Sequence, residues 1–231
     1  MDPGLFARIA PPSCLLCGDP GEGGLALCAG CHADLPRNRH PCARCAAPLP
    51  ATGADLPELR VCGRCLWRPP PYAAIHVPFR YAHPVDWLVR RLKFHGDLAA
   101  GRLLGQLLAL ELPESSAAIE AVVPVPLHPR RLLQRGYNQA AEIAQPLARS
   151  RRTPLRVGLL ARHGGTVAQM DLPARQRRAN VRGVFHLHRP LAGHLLLVDD
   201  VVTTASTVRE AARRLCAGGD CRVTVAAVAR A

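Results

Sequence analysis

The amino-acid sequence predicts an α/β fold, a mostly parallel sheet with helices on both faces, behind a small N-terminal Cys-rich module. Three observations carry that expectation. From Tyr72 onward, short aliphatic runs alternate with stretches of helical periodicity. Eight of the ten cysteines fall between Cys14 and Cys65 as four Cys-x-x-Cys pairs, and Phe6 and Trp67 are the only aromatic residues among the first 70. The 231 residues therefore divide into an expected metal module, residues 1–70, and an expected larger domain, residues 71–231.

Composition excludes several other classes. The chain is 48% hydrophobic and 20% charged, and its 22 Pro and 19 Gly are scattered, which rules out collagenous, coiled-coil and wholly disordered chains. No apolar run approaches the ~20 residues of a membrane span, so no membrane insertion is expected. Met1 to Pro12 lack a basic stretch followed by an apolar core, and the sequence reads as that of a cytoplasmic protein.

The cysteines come first along the chain. In Cys14/Cys17, Cys28/Cys31, Cys42/Cys45 and Cys62/Cys65, a two-residue spacer lets one tight turn aim both sulfurs at one ion. Two such knuckles close a tetrahedron with no position left for a substrate, so structural Zn²⁺, one or two ions, is the expected ligand. Redox thiols and an iron–sulfur cluster are the competing uses. The echo of the first two pairs in the last two points to consecutive ribbons, and an interleaved pairing is also compatible with the spacing. With so few aromatic side chains the module cannot build its own core, so metal would supply folding free energy, on the order of 10 kcal/mol per site.

The larger domain follows in order. Ile75 to Tyr81 reads as a strand; Val85, Leu88, Val89 and Leu92 lie at helical spacing, with Lys93 as a residue suited to a helix C-terminus. A leucine-rich helix spans Leu98 to Leu110, a strand Ala121 to Val125, a helix Gln139 to Arg149, and a strand runs near Leu155 to Leu160. A polar stretch from Arg162 to Arg182 precedes strand Leu195 to Val198, a helix carrying Val208, Ala211, Ala212 and Leu215, and strand Arg222 to Val228. Cys216 and Cys221, and His163, His186 and His188, read as packing, turn or surface residues. Ligands of such sheets bind beyond the C-terminal ends of the strands.

Charge points to the partner. The formal net charge is +13, and 29 of the 30 basic residues are Arg. Residues 1–70 hold 7 Arg against 6 acids, leaving +12 on residues 71–231. Eight thiolates less the four charges of two Zn²⁺ would turn the module from +1 to −3, so a polyanion is expected to meet the larger domain.

The strongest chemical signal is the run Leu195-Leu-Leu-Val-Asp199-Asp200-Val-Val-Thr203-Thr204-Ala205-Ser206-Thr207. Unpaired N–H groups at a helix start, with the Thr203, Thr204, Ser206 and Thr207 hydroxyls, can hold a phosphate monoester. Asp199 and Asp200 can accept hydrogen bonds from a vicinal diol or hold Mg²⁺ waters. A phosphate beside a diol describes a ribose 5-phosphate, and the lack of Lys argues against a Walker-type site. The same residue types also make ordinary caps and turns.

This pattern resembles the phosphoribosyl pyrophosphate (PRPP) loop of type I phosphoribosyltransferases, and the whole chain is similar to the ComF family of competence-associated proteins. The resemblance includes Val123-Pro-Val-Pro-Leu-His128-Pro-Arg130-Arg131, Arg135-Gly-Tyr-Asn-Gln139, Thr166-x-x-Gln169-x-x-Leu172 and Arg177-Arg178-x-Asn180-Val-Arg182-Gly183-x-Phe185. It implies a type I phosphoribosyltransferase-like fold behind the zinc ribbon and a link to DNA uptake. It also implies Mg²⁺ with PRPP, whose 5-phosphate would meet Thr203 to Thr207 and whose hydroxyls would meet Asp199 and Asp200. His128, Arg130 and Arg131, in an expected proline-constrained turn after a strand, suit the pyrophosphate, and Gln169, Arg177, Arg178 and Asn180 lie in an expected flap from Gly164 to Gly183. Ala205 stands where the family loop usually has Gly, so the turn must tolerate a methyl at a position suited to positive φ. The competing reading is a non-catalytic nucleic-acid adaptor. Its partners would be single-stranded DNA or proteins of the competence machinery, although 4% aromatic content offers few stacking platforms.

Overall fold

The computed structural model describes residues 11–50, 60–113, 118–163 and 183–231. In the cysteine module, α1 (Ala29–Ala33) and α2 (Gly63–Trp67) are short helices that each open directly after a cysteine. Cys28 caps α1, its sulfur accepting from the Cys31 N–H at 3.4 Å.

Four parallel strands organise the rest. β1 (Ala74–His76), β7 (Cys221–Arg230), β6 (Gly193–Val202) and β3 (Ala121–Pro124) lie side by side in that order, and β2 (Phe79–Arg80) continues along the end of β7. Along β6, Leu196 and Val198 enter one apolar cluster and Leu195 and Leu197 the other, so both faces of the sheet are covered. The first cluster is filled by α3 (Val85–His95), α4 (Leu98–Glu111) and α6 (Gln139–Ser150). The second receives α7 (Ser206–Cys216) and the antiparallel pair β4 (Leu160–Arg162) and β5 (Phe185–Leu187). Cys14, Leu27 and Leu35 of the first ribbon belong to the same cluster as α3 and α4, so the ribbon shares the main core.

Neighbouring strands β3 and β6 thus send their onward connections to opposite faces, α6 to one and α7 to the other. That divergence makes the topological switch point at which sheets of this class open a crevice. Close helix packing fixes its wall. A Cβ on Gly105 of α4 would lie 2.3 Å from the Ile143 carbonyl oxygen, so only glycine lets α4 and α6 approach this closely. At the start of α6, Asn138 accepts from the Ala140 N–H at 3.1 Å and donates to the Val125 carbonyl at 3.0 Å, tying the helix to the end of β3.

Four sequence expectations need correction. The single strand at Ile75–Tyr81 is two strands, because Asn38 occupies the break: its side chain donates to the Val77 carbonyl at 3.1 Å and its N–H to the Pro78 carbonyl at 2.7 Å. The segment His128–Arg131, expected as a turn, opens a helix, α5 (Pro129–Arg135). Pro129 stands in its first turn, His128 caps it by accepting from the Arg130 N–H at 3.2 Å, and Gly136 ends it at φ 79°. Near Leu155 to Leu160 only a single bridge joins Leu155 to Val122; a turn closed by Leu159 N–H on the Arg156 carbonyl sends the chain away to form β4. Finally, β6 runs through Val202, so Asp199 and Asp200 sit within the strand rather than beyond it.

Candidate functional site

The eight module cysteines form two sets of four. Cys14, Cys17, Cys28 and Cys31 make one and Cys42, Cys45, Cys62 and Cys65 the other, with the sulfurs of each set within 4.8 Å of one another. The ribbons are therefore consecutive, not interleaved. Separations of 3.5 Å (Cys17–Cys28) and 3.7 Å (Cys45–Cys62) match the edge of about 3.8 Å of a tetrahedron with Zn–S bonds of about 2.3 Å, and are far too long for disulfides. Burial pushes the Cys14 thiol up, but backbone N–H groups of Cys17, Cys28 and Leu16 outweigh it and hold it down at about 6. Cys42 is likewise held at about 7 against its burial, by the N–H groups of Cys62, Arg44 and Cys45. Each set thus contains one thiol already inclined to ionise, and both fit structural zinc.

At the switch point a cavity of about 670 Å³ opens between the ends of β3, β6 and α3, the middle and end of α5, and the starts of α6 and α7. Lys93, Arg131, Arg135 and Arg162 line it together with Asp199, Asp200 and Thr207. Four cations against two carboxylates give a basic lining suited to an anion. Arg135 Nη1 and Arg162 Nε are buried without a hydrogen-bond partner among the described residues, and burial, then the Arg131 charge, lowers the Arg162 pKa. Buried guanidinium donors left unsatisfied within the protein are complementary to phosphate oxygens.

The two acids play different parts. Asp200 is buried, its Oδ2 lies 2.9 Å from Lys93 Nζ, and its Oδ1 accepts from the Val201 N–H at 2.6 Å. Asp199 accepts from the Asp200 N–H at 2.9 Å; burial, and next the Asp200 charge, push its pKa up to about 7. One carboxylate is consumed by an internal ion pair while the other is poised between its two protonation states.

Thr207 reaches the cavity lining, whereas Thr203, Thr204 and Ser206 lie beside it, with the Thr204 and Ser206 hydroxyls 2.8 Å apart. Ala205 adopts φ 59°, ψ 13°, the left-handed conformation that glycine favours. Its methyl is buried in the apolar cluster with Val202 and Val208, so it does not close the cavity. No side chain caps α7, which leaves its first N–H groups available. Arg131 lines the cavity; His128, whose side chain caps α5, and the exposed Arg130 do not. Gln169, Arg177, Arg178 and Asn180 lie outside the described residues.

Sequence reasoning assigned Lys93 to the helix end and gave Arg135 and Arg162 no role. The available signals were that Lys93 is the sole lysine and that Arg135 opens the Arg-Gly-Tyr-Asn-Gln motif. His186 of β5, His163 just past β4 and His188 just past β5 form a row, with ring centroids 5.8 and 5.4 Å apart.

The geometry defines a class: a parallel α/β protein with a cation-lined switch-point crevice and two four-cysteine zinc ribbons. Residues 5–66 match the family described as Double zinc ribbon domain. The chain is 36% identical over 222 residues to "DNA utilization protein YhgH" of Escherichia coli (strain K12), covering 93% of this chain and 95% of that protein. It is 31% identical over 218 residues to "Competence protein F" of Haemophilus influenzae, covering 89% and 90%. A solved structure, TT1426 from Thermus thermophilus, aligns with 55% of this chain and 72% of its own at 20% identity and a TM-score of 0.35, too distant to carry an argument. The chain belongs to the ComF family, with these two relatives.

Proposed function

We propose that this protein binds PRPP or a related sugar phosphate at the switch-point crevice and acts in the use or uptake of DNA, as the names of its relatives suggest for them. The observation that carries the reading is the convergence of Lys93, Arg131, Arg135, Arg162, Asp199 and Thr207 on one cavity beside the uncapped start of α7. In this reading residues 1–70 are the metal module, residues 71–231 the ligand-binding domain, and the protein works in the cytoplasm. Among the described residues no helix is long and apolar enough to cross a membrane.

The chemistry follows from the lining. The 5-phosphate takes the α7 N–H groups and Thr207, and Asp199 accepts from the ribose diol. Arg131, Arg135 and Arg162 meet the diphosphate. The bond between C1 and the pyrophosphate oxygen breaks as a nitrogen nucleophile bonds to C1, and the guanidinium groups hold the charge that develops on the leaving oxygens. Mg²⁺ would enter with the diphosphate and offset its charge. Asp200, paired with Lys93, is a poor direct ligand for that ion, which leaves Asp199 to meet a diol or a metal-bound water. Pyrophosphate release by zinc-loaded protein, measured against a panel of bases and amines, tests transfer; no release with any acceptor reduces the protein to a PRPP binder.

A second reading, a nucleic-acid adaptor, is favoured by one feature. Trp67 is 90% exposed at the end of α2, beside Arg64 and Arg68, and offers the stacking face that the low aromatic content argued against. Binding of single-stranded DNA that weakens steeply with salt, and that does not change on Asp199→Asn, supports the adaptor reading instead.

A further inference from the structure

Three arginines bolt the second cysteine site to the turn after β6. Arg209 of α7 donates from Nη2 to Cys65 Sγ at 3.4 Å and from Nη1 to the Arg68 carbonyl at 3.1 Å. Arg64, next to Cys65 in α2, donates to the Thr204 carbonyl at 3.3 Å. Arg230, ending β7, spans the Cys45 carbonyl at 3.3 Å and the Val202 carbonyl at 3.1 Å. These bonds reach the chain before, within and after the turn Thr203–Ala205. The first cysteine site instead packs on α3 and α4 through Cys14, Leu27 and Leu35.

The turn needs such support. A non-glycine residue at positive φ persists only where its surroundings over-determine it, and Ala205 is held at φ 59°. A guanidinium donating to a zinc-bound thiolate makes a charge-assisted bond, roughly twice as strong as a neutral one. Resting on the sugar-phosphate reading above, we propose that the second four-cysteine site positions the phosphate loop. Zinc on Cys42, Cys45, Cys62 and Cys65 anchors Arg209 and Arg64, which keep Thr203–Ala205 and the first N–H groups of α7 in binding geometry. Arg64, Arg209 and Arg230 are positioning residues. By linkage, ligand bound at the loop must in turn hold zinc more tightly in this site, by the same factor.

Arg209→Met keeps every thiol and removes the central tie. In the full zinc-loaded chain, three quantities are measured: calorimetric affinity for Mg²⁺ and PRPP, zinc release to a chelator with and without PRPP, and amide exchange at Thr203–Ala205. With couplings typically about 5- to 150-fold, the variant binds PRPP about tenfold more weakly and releases one of its two zinc ions about tenfold faster. PRPP slows release of that same ion in the unmodified protein, exchange at Thr203–Ala205 quickens in the variant, and Arg209→Lys restores part of each effect. If the unmodified protein binds PRPP and Arg209→Met binds it equally well with unchanged zinc release, the clamp is wrong and the crevice reading survives. If the unmodified protein binds no PRPP, the crevice reading fails. The clamp then stands or falls on zinc release and exchange alone, and unchanged values for both overturn it.

Discussion

Replacing Lys93 by methionine removes the cation 2.9 Å from Asp200 while keeping a side chain of similar length. The two side chains expose 21% and 9% of their surface, so the pair is largely shielded from water. Deleting one partner of a buried pair costs about 3–5 kcal/mol, and the partial exposure of Lys93 places this case near the lower end, about 3 kcal/mol. Asp199 adds to the cost, since two adjacent carboxylates then share the crevice without their nearest cation. Urea unfolding of zinc-loaded protein at pH 8 compares Lys93→Met, Asp200→Asn and the double variant. Lys93→Met loses about 3 kcal/mol, and Asp200→Asn added to it recovers most of that loss, giving a coupling of at least about 2 kcal/mol. A Lys93→Met loss below about 0.5 kcal/mol, or strictly additive substitutions, would show that Asp200 is not held by Lys93 and would refute the division of labour between the two acids.

Further expectations concern the acids, the metal and the helix packing. Asp199 is pushed up to about 7 from its ordinary 3.8, so between roughly pH 4 and 7 the folded state keeps a proton that the unfolded state has released. Its contribution to stability therefore falls as pH rises through that window; Asp199→Asn is more stable than the unmodified protein at pH 8 and converges with it near pH 4 in denaturant titrations. Metal analysis gives two zinc ions per chain, and chelation loosens α3 and α4 as well as the ribbons, because Cys14 shares their apolar cluster; fluorescence of Trp87 in α3 reports it. Gly105→Ala drives a methyl to 2.3 Å from the Ile143 carbonyl and costs about 1–3 kcal/mol of stability by denaturant unfolding.

What the sequence disclosed depended on how far apart the interacting residues lie. The Cys-x-x-Cys knuckles are local geometry, so the ligands were legible, and only their grouping into consecutive sets required coordinates. Apolar runs at β3, β6 and β7 and the helical spacing of α3, α4, α6 and α7 likewise announced the parallel sheet. The helix at Pro129–Arg135 carried readable signals, proline just inside its start and Gly136 just past its end, which the basic character of the segment obscured. By contrast, the Lys93–Asp200 pair joins α3 to β6, and Arg209 joins α7 to Cys65; periodicity and spacing say nothing about such long-range meetings. Ala205 lies between these cases. Its departure from glycine was visible, but only the structure shows the left-handed conformation kept and the methyl turned into the core.

Calorimetric titration of zinc-loaded protein with PRPP in the presence of Mg²⁺, run beside Asp199→Asn, tests the crevice most directly. Saturable binding at one site per chain, weakened about tenfold or more by the substitution, is the predicted result, a loss of about 1.4 kcal/mol or more. No saturable heat from folded, zinc-loaded protein, or equal affinity in the two proteins, would contradict it.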